Sequence, residues 1–111
     1  MNRDLAAKCL SELGNLTRLD IFRVLVRASP EGLNIGEIQA RLDVPASTLA
    51  FHLRGLVEAG LVVQEKVGRE VRCRANHRQV TMVVEFLREK CCMGFVEEEE
   101  DFSPGRRAKA A

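Results

Sequence analysis

Aromatic residues and long apolar runs are both scarce in this sequence. It contains no Trp, no Tyr and only five Phe among its 111 residues, so its core must be mainly aliphatic and fits a single domain. No stretch approaches the ~20 apolar residues of a membrane-spanning helix. The first residues, Met1 to Asp4, include an acid and no apolar segment, which argues against a secretory signal. These absences favour a cytoplasmic protein without a membrane partner.

A strong net charge is also missing, but the charges are unevenly placed. The formal charge is only +1, yet five acids form one run at 97–101. Residues 1–93 carry 14 bases against 11 acids, a net charge of +3 that is compatible with a nucleic-acid partner. The composition predicts a disordered tail over 95–111, since it cannot bury enough apolar area to fold. We therefore expect one folded domain, residues 1–94.

The spacing of apolar residues predicts five helices and one hairpin. The helices are expected at 4–13, 16–28, 35–42, 45–59 and 77–92, and two extended runs at 61–67 and 69–74. Asn15, Asn34 and Asn76 are placed to cap helices, and Pro45 suits a first helical turn. This order predicts a mainly α fold with a small β-hairpin, a winged helix-turn-helix.

Three short motifs resemble those of a known family. Residues 13–19 read LGNLTRL, residues 47–53 read STLAFHL and residues 58–62 read EAGLV. They resemble the LGNPTRL, STLSFHL and EAGLV motifs of the ArsR/SmtB family of metal- and metalloid-responsive repressors, over roughly residues 5–92. The resemblance implies a transcriptional repressor that binds double-stranded operator DNA, and not an enzyme.

The first and last helices are expected to form a homodimer interface. Their apolar side chains exceed what a 93-residue core needs, and both helices flank that core. A dimer would present two recognition helices to major grooves about 34–36 Å apart. The predicted interface residues are Leu5, Val80, Val83, Val84 and Leu87.

The end of the predicted last helix resembles a narrower branch of the family. Residues 86–92 read FLREKCC, similar to members whose last helix ends in a vicinal cysteine pair and which are associated with arsenical sensing. The resemblance implies a trivalent arsenical, arsenite or methylarsenite, as inducer. The helix at 35–42 has no cysteine where the family's ELCVCDL arsenic site would lie. The last helix also lacks the His and acid pair of the interhelical zinc site.

The predicted fourth helix is the candidate recognition helix. One face carries the apolar stripe Leu49, Leu53 and Leu56, and the other is free to contact phosphates or base edges. The alternative is an ordinary solvated helix face. The predicted DNA contacts on this helix are Ser47, Thr48, Ala50, Phe51, His52 and Arg54.

The hairpin is a candidate wing. Lys66, Arg69 and Arg72 are predicted to contact DNA, and Arg69 is the strongest candidate because it lies at the tip beside Gly68. For Arg72 and Arg74 the alternative, an ordinary hairpin of mixed charge, stays open.

Four cysteines carry the remaining chemistry. Arsenic(III) prefers two or three thiolates; Cys91 and Cys92 supply two, Cys73 is the predicted third, and Cys9 is expected in the core. A straight helix over 77–91 would separate Cys73 from Cys91 of the same chain by about 20 Å, so the site is predicted to bridge two subunits. Zinc bound by Cys73, His77, Cys91 and Cys92 is a weaker alternative, since the spacing matches no common zinc motif.

Two other functions remain open at this point, and a third is disfavoured. The same cysteines could form a thiol redox switch in a repressor of the same fold. A winged helix could also serve only as a protein-interaction module, without salt-sensitive binding to duplex DNA. A cysteine enzyme is disfavoured because the sequence suggests no Cys–His–acid constellation.

Overall fold

The computed structural model describes residues 1–95 as five helices and three short strands. The order confirms the predicted winged helix-turn-helix, in which α3 and α4 form the helix-turn-helix and the β2–β3 hairpin forms the wing. No helix in the described range is long and apolar enough to cross a membrane. Apart from Phe95, the predicted tail lies outside the described residues. The elements are α1 (Arg3–Leu13), α2 (Leu16–Arg27), β1 (Leu33–Asn34), α3 (Ile35–Leu42), α4 (Ala46–Glu58), β2 (Val62–Val67), β3 (Glu70–Ala75) and α5 (His77–Arg88).

Aliphatic side chains from all five helices and the sheet form one core. On α2 the buried residues are Ile21, Phe22 and Leu25. Leu16 and Leu19 share helical spacing with Phe22 and Leu25 but do not join them in the core, since Leu16 is 76% exposed and Leu19 also lies on the surface. The helix carries two apolar stripes at helical spacing, and its contacts with α1, α3, α4 and β3 decide which of them is buried.

Asparagine begins four of the five described helices. The side chains of Asn2, Asn15, Asn34 and Asn76 each accept a hydrogen bond from the main-chain amide three residues on, at the starts of α1, α2, α3 and α5. The helix α4 differs, because Pro45 precedes it and no side chain caps it. The unpaired amides of its first turn are therefore available to another partner.

The sheet has three strands in the order β1-β3-β2, one more than predicted. β1 has only two residues, and Leu33 pairs with Cys73 of β3. A strand this short shows no alternation in sequence. It forms at Gly32, whose φ is +77° and where a Cβ would collide with the main-chain oxygen of Cys73.

The last helix is shorter than predicted. It ends at Arg88, and Lys90 and Cys92 adopt left-handed φ values of 59° and 66°. Val83 is the only buried residue of α5, so tertiary packing does not hold a further turn in place. Cys91 and Cys92 consequently lie in a turn after the helix.

Candidate nucleic-acid interface and thiol site

The structure places the predicted recognition residues on the outer side of α4. Leu49, Leu53 and Leu56 are buried, whereas the opposite face is open. Ser47, Ala50, Phe51 and Arg54 are all exposed, and their spacing puts them on one face of the helix. Thr48 and His52 are half-buried beside them. Phe51 is 62% exposed, which is unusual for an aromatic side chain in a chain that has so few.

The first turn of α4 adds donors to this face. Its uncapped amides and the positive end of the helix dipole favour an anion such as a phosphate group. In each of the other described helices, an asparagine side chain already accepts a hydrogen bond from one first-turn amide, so fewer amides there are available to an anion.

The tip of the wing carries cations that form no ion pair within residues 1–95. Gly68, with a φ of +63°, forms the two-residue loop with Arg69. Lys66 and Arg69 are exposed, and neither forms an ion pair with any described residue. Arg54 on α4 is likewise exposed and forms no ion pair with any described residue.

The base of the wing carries cations that are already paired. Arg72 donates to the main-chain oxygen of Gly32 at 3.1 Å and to Glu70 at 2.9 Å. The hydrogen bond from Arg72, followed by one from Asn34, lowers the pKa of the Glu70 carboxyl. Arg74 pairs with Glu65 at 2.6 Å. The DNA contact expected of Arg72 stays a prediction, and the structure gives this residue the role of tying the wing to the start of α3.

The sequence analysis missed a contact that reaches the recognition helix from α2. Arg18 Nη1 lies 3.4 Å from Nδ1 of His52, whose ring also makes an edge contact with Phe51 at 5.4 Å between centroids. Arg18 belongs to the LGNLTRL motif and His52 to STLAFHL, so the two motifs are partners in space. Nothing in the spacing within either motif could have shown this.

Cys91 and Cys92 are both exposed, and their Sγ atoms lie 2.9 Å apart. The hydrogen bond between the two sulfurs raises the pKa of the Cys91 thiol. On a helix, neighbouring side chains would point about 100° apart. The turn after α5 removes that constraint, and the two sulfurs can therefore approach one atom together.

Cys9 and Cys73 are fully buried, and burial raises the pKa of both thiols. The core position predicted for Cys9 is confirmed, and its Sγ donates to the main-chain oxygen of Ala59 at 3.3 Å. Cys73 accepts a hydrogen bond from Gln64 within the sheet. Nothing in the described chain brings Cys73 to Cys91 and Cys92, as expected of a site shared between two subunits, and the role of this buried thiol as third ligand stays a prediction.

The zinc alternative is not assembled within one chain either. Residues 1–95 contain no group of three His, Cys, Asp or Glu side chains placed to hold a metal ion. His77 is instead hydrogen-bonded to Ser29 Oγ at 2.7 Å.

Comparisons with known proteins agree with this geometry. A family described as a helix-turn-helix domain matches residues 13–65. The putative arsenical resistance operon repressor ArsR of Halobacterium salinarum is 37% identical over 75 residues, which cover 68% of this chain and only 57% of that protein. The ArsR-like transcriptional regulator from Rhodococcus sp. RHA1 is 30% identical over 76% of each chain, with a TM-score of 0.66. Reduced HlyU from Vibrio cholerae is 29% identical over 80% of this chain and 90% of its own, with a TM-score of 0.61.

Proposed function

Since the chain belongs to the ArsR family of winged-helix transcription regulators, we propose that it is a repressor that binds operator DNA as a homodimer and is released by a trivalent arsenical. The observation that supports an arsenical inducer is the distance of 2.9 Å between the exposed Sγ atoms of Cys91 and Cys92. The observations that support the DNA contact are the open face of α4 and the wing-tip cations, which form no ion pair with any described residue.

The proposed DNA surface combines three kinds of contact. The amides at the start of α4 bind phosphate, Arg54 reads a base edge or a phosphate, and Phe51 contacts a thymine methyl group. Lys66 and Arg69 at the wing tip bind phosphates or enter the minor groove. Because Arg72 and Arg74 are already paired with carboxylates, we assign the wing's contribution to its tip.

The proposed dimer uses the surface of α1 and α5, which pack against each other within the chain. On α5 Val84 and Leu87 are 47% and 60% exposed, and on α1 Leu10 is exposed as well. A partner that covers these side chains would remove apolar surface from water. Val83, which the sequence analysis placed in this interface, belongs to the core. Leu5 and Val80 are half-buried at its edge.

The proposed inducer step is a ligand exchange without oxidation. Each thiol of Cys91 and Cys92 gives a proton to an As–OH group, water leaves and an As–S bond forms. Methylarsenite has two such hydroxyls, and the two thiols replace both of them. Arsenite has three, so it keeps one hydroxyl or binds a third thiol. The site lies just after the α5 part of the proposed dimer surface. An arsenical that binds better to a dimer geometry with low DNA affinity releases the operator.

The DNA contact is tested by a titration of fluorescent operator duplex, selected from a random pool, at several salt concentrations. We expect steep salt dependence. Arg54→Ala should weaken operator binding by about 1–3 kcal/mol if it reads a guanine, while Arg69→Ala should weaken all sequences alike. Arg27→Ala, at an exposed position at the end of α2, is the matched control. The absence of salt-sensitive binding to duplex DNA would favour the interaction module instead, and equal, salt-sensitive affinity for all four proteins would show that another face contacts DNA.

A thiol redox switch is the second candidate, and the separation of 2.9 Å between the two sulfurs favours it. A mild oxidant such as diamide would then take one electron from each sulfur, two protons would leave and a disulfide would form. Release of DNA by diamide, reversed by dithiothreitol and without effect of arsenicals, would establish this candidate over the arsenical one.

A further inference from the structure

We propose that Arg18 fixes the tautomer and the orientation of His52, so that the recognition helix presents the Nε2–H of His52 as a hydrogen-bond donor to an acceptor on operator DNA. This inference rests on the proposed DNA-binding function. The observation behind it is the contact of 3.4 Å between Arg18 Nη1 and His52 Nδ1.

The tautomer follows from the hydrogen-bonding capacity of the two groups. A guanidinium has five N–H donors and no acceptor. Nδ1 of His52 must therefore accept through its lone pair, and the single proton of the neutral ring is on Nε2. No described residue bonds to Nε2, so this N–H is available to a molecule outside the chain.

Arg18 is itself held in place from α1. Its Nε donates to the main-chain oxygen of Glu12 at 2.8 Å and lies 3.3 Å from the Oε1 atom of the same residue. Oε1 is buried without a hydrogen bond in the described chain, so the ion pair with Arg18 is what offsets the cost of burying it. Gly55 of α4 makes room for this carboxylate, because a Cβ there would collide with Oε1. Lys8 pairs with the other oxygen, Oε2, at 3.7 Å, so Arg18 is the partner of Oε1, and it cannot turn away without leaving that buried oxygen unpaired.

A donor-only His52 restricts what the helix can recognise. It can bond to purine N7, guanine O6, thymine O4 or a phosphate oxygen, all of which are acceptors. It cannot accept from the amino groups of adenine or cytosine, because its one lone pair is already used by Arg18. Arg18 is therefore a positioning residue for DNA recognition, and His52 is the residue that touches DNA.

The tautomer is tested by ¹⁵N NMR of the imidazole nitrogens in the free full-length protein. We expect a protonated Nε2 and an unprotonated Nδ1 in the wild type, and a mixture of both tautomers in Arg18→Met. Arg27→Met, which removes the same charge from the exposed end of α2, should keep the wild-type spectrum. If Arg18→Met does not fold, Arg18→Lys replaces it, because one ammonium group cannot reproduce the fork between Glu12 and His52. A wild-type ring protonated on Nδ1, or tautomers equal in all variants, overturns the proposal.

The role in DNA binding is tested by a double-mutant cycle on the operator duplex. His52→Ala and Arg18→Met should each weaken binding about tenfold, and the double variant should be no weaker than His52→Ala alone. A loss confined to the operator identifies a base acceptor, and an equal loss on unrelated DNA identifies a phosphate. Losses that multiply show that Arg18 acts independently of His52 and overturn the proposal. If the wild type binds no DNA, the proposed function fails, while the NMR result still decides the tautomer.

Discussion

The two buried thiols and the two exposed thiols give the same chemical group opposite properties. Cys9 and Cys73 are fully buried, on α1 and on the central strand β3. Cys91 and Cys92 lie exposed in the turn that follows α5. The first pair is held by hydrogen bonds to Ala59 and from Gln64, whereas the second pair is bonded only within itself among the described contacts. Position in the fold, and not residue type, separates the packing role of one pair from the ligand-binding role that we propose for the other.

Alkylation rates should show the widest separation between the two pairs. We expect iodoacetamide to modify Cys91 and Cys92 readily, and Cys9 and Cys73 on the order of a thousandfold more slowly, because the buried pair reacts only after the protein opens. Mass spectrometry of peptides from the native protein, quenched at intervals, measures the four rates. Denatured protein is the control and should show four similar rates. Rapid modification of Cys73 in the native protein would break the comparison.

Cys73→Ser should lower the stability of the fold by about 1–3 kcal/mol, because it puts a hydroxyl with greater hydrogen-bonding demand into the core. Chemical denaturation of the free protein gives this value. Cys92→Ser is the matched control and should change the stability by less than about 0.5 kcal/mol. The response to an arsenical should survive in Cys73→Ser. Its loss in a protein that still folds would support Cys73 as the third ligand.

Alkaline pH should destabilise the fold through the buried pair. Burial raises the pKa of Cys9 and Cys73 above the ordinary value of 9.0, so the folded state keeps protons that the unfolded state releases. The contribution of these two thiols to the free energy of unfolding is therefore fully present below about pH 9. It falls as the pH rises further, by up to about 1.4 kcal/mol per pH unit for each thiol. The chain has no Tyr to titrate in the same range. Cys73→Ala should show a shallower decline above pH 9, and a slope equal to that of the wild type would contradict this assignment.

Local signals in the sequence were enough for the helices and the hairpin. Asn15, Asn34 and Asn76 cap helices as predicted, and the pairing around Gly68 follows from a turn signal between two extended runs. These features depend on neighbours within a few residues, which a sequence displays directly. The outward face of α4 also follows from its periodicity.

Features that depend on distant residues were not accessible in the same way. β1 exists because Leu33 meets Cys73, forty positions along the chain. The end of α5 at Arg88 reflects the absence of core contacts beyond it. At the candidate site, the pairing of Arg72 with Glu70 and Gly32 and the contact of Arg18 with His52 both join separate elements. Sequence patterns identified these residues or their motifs as candidates. They did not show which of the side chains already have hydrogen-bond or ion-pair partners within the chain.

The central claim is that the exposed thiol pair controls DNA binding. The most direct measurement is the fluorescence anisotropy of operator duplex bound to the wild type and to Cys91→Ser/Cys92→Ser, during titration with methylarsenite and, separately, with arsenite. The account predicts equal DNA affinity for both proteins without arsenical, and complete release at one arsenical per chain for the wild type alone. Wild-type protein that stays on the operator at saturating arsenical, or release of the serine variant at the same concentration, would contradict it.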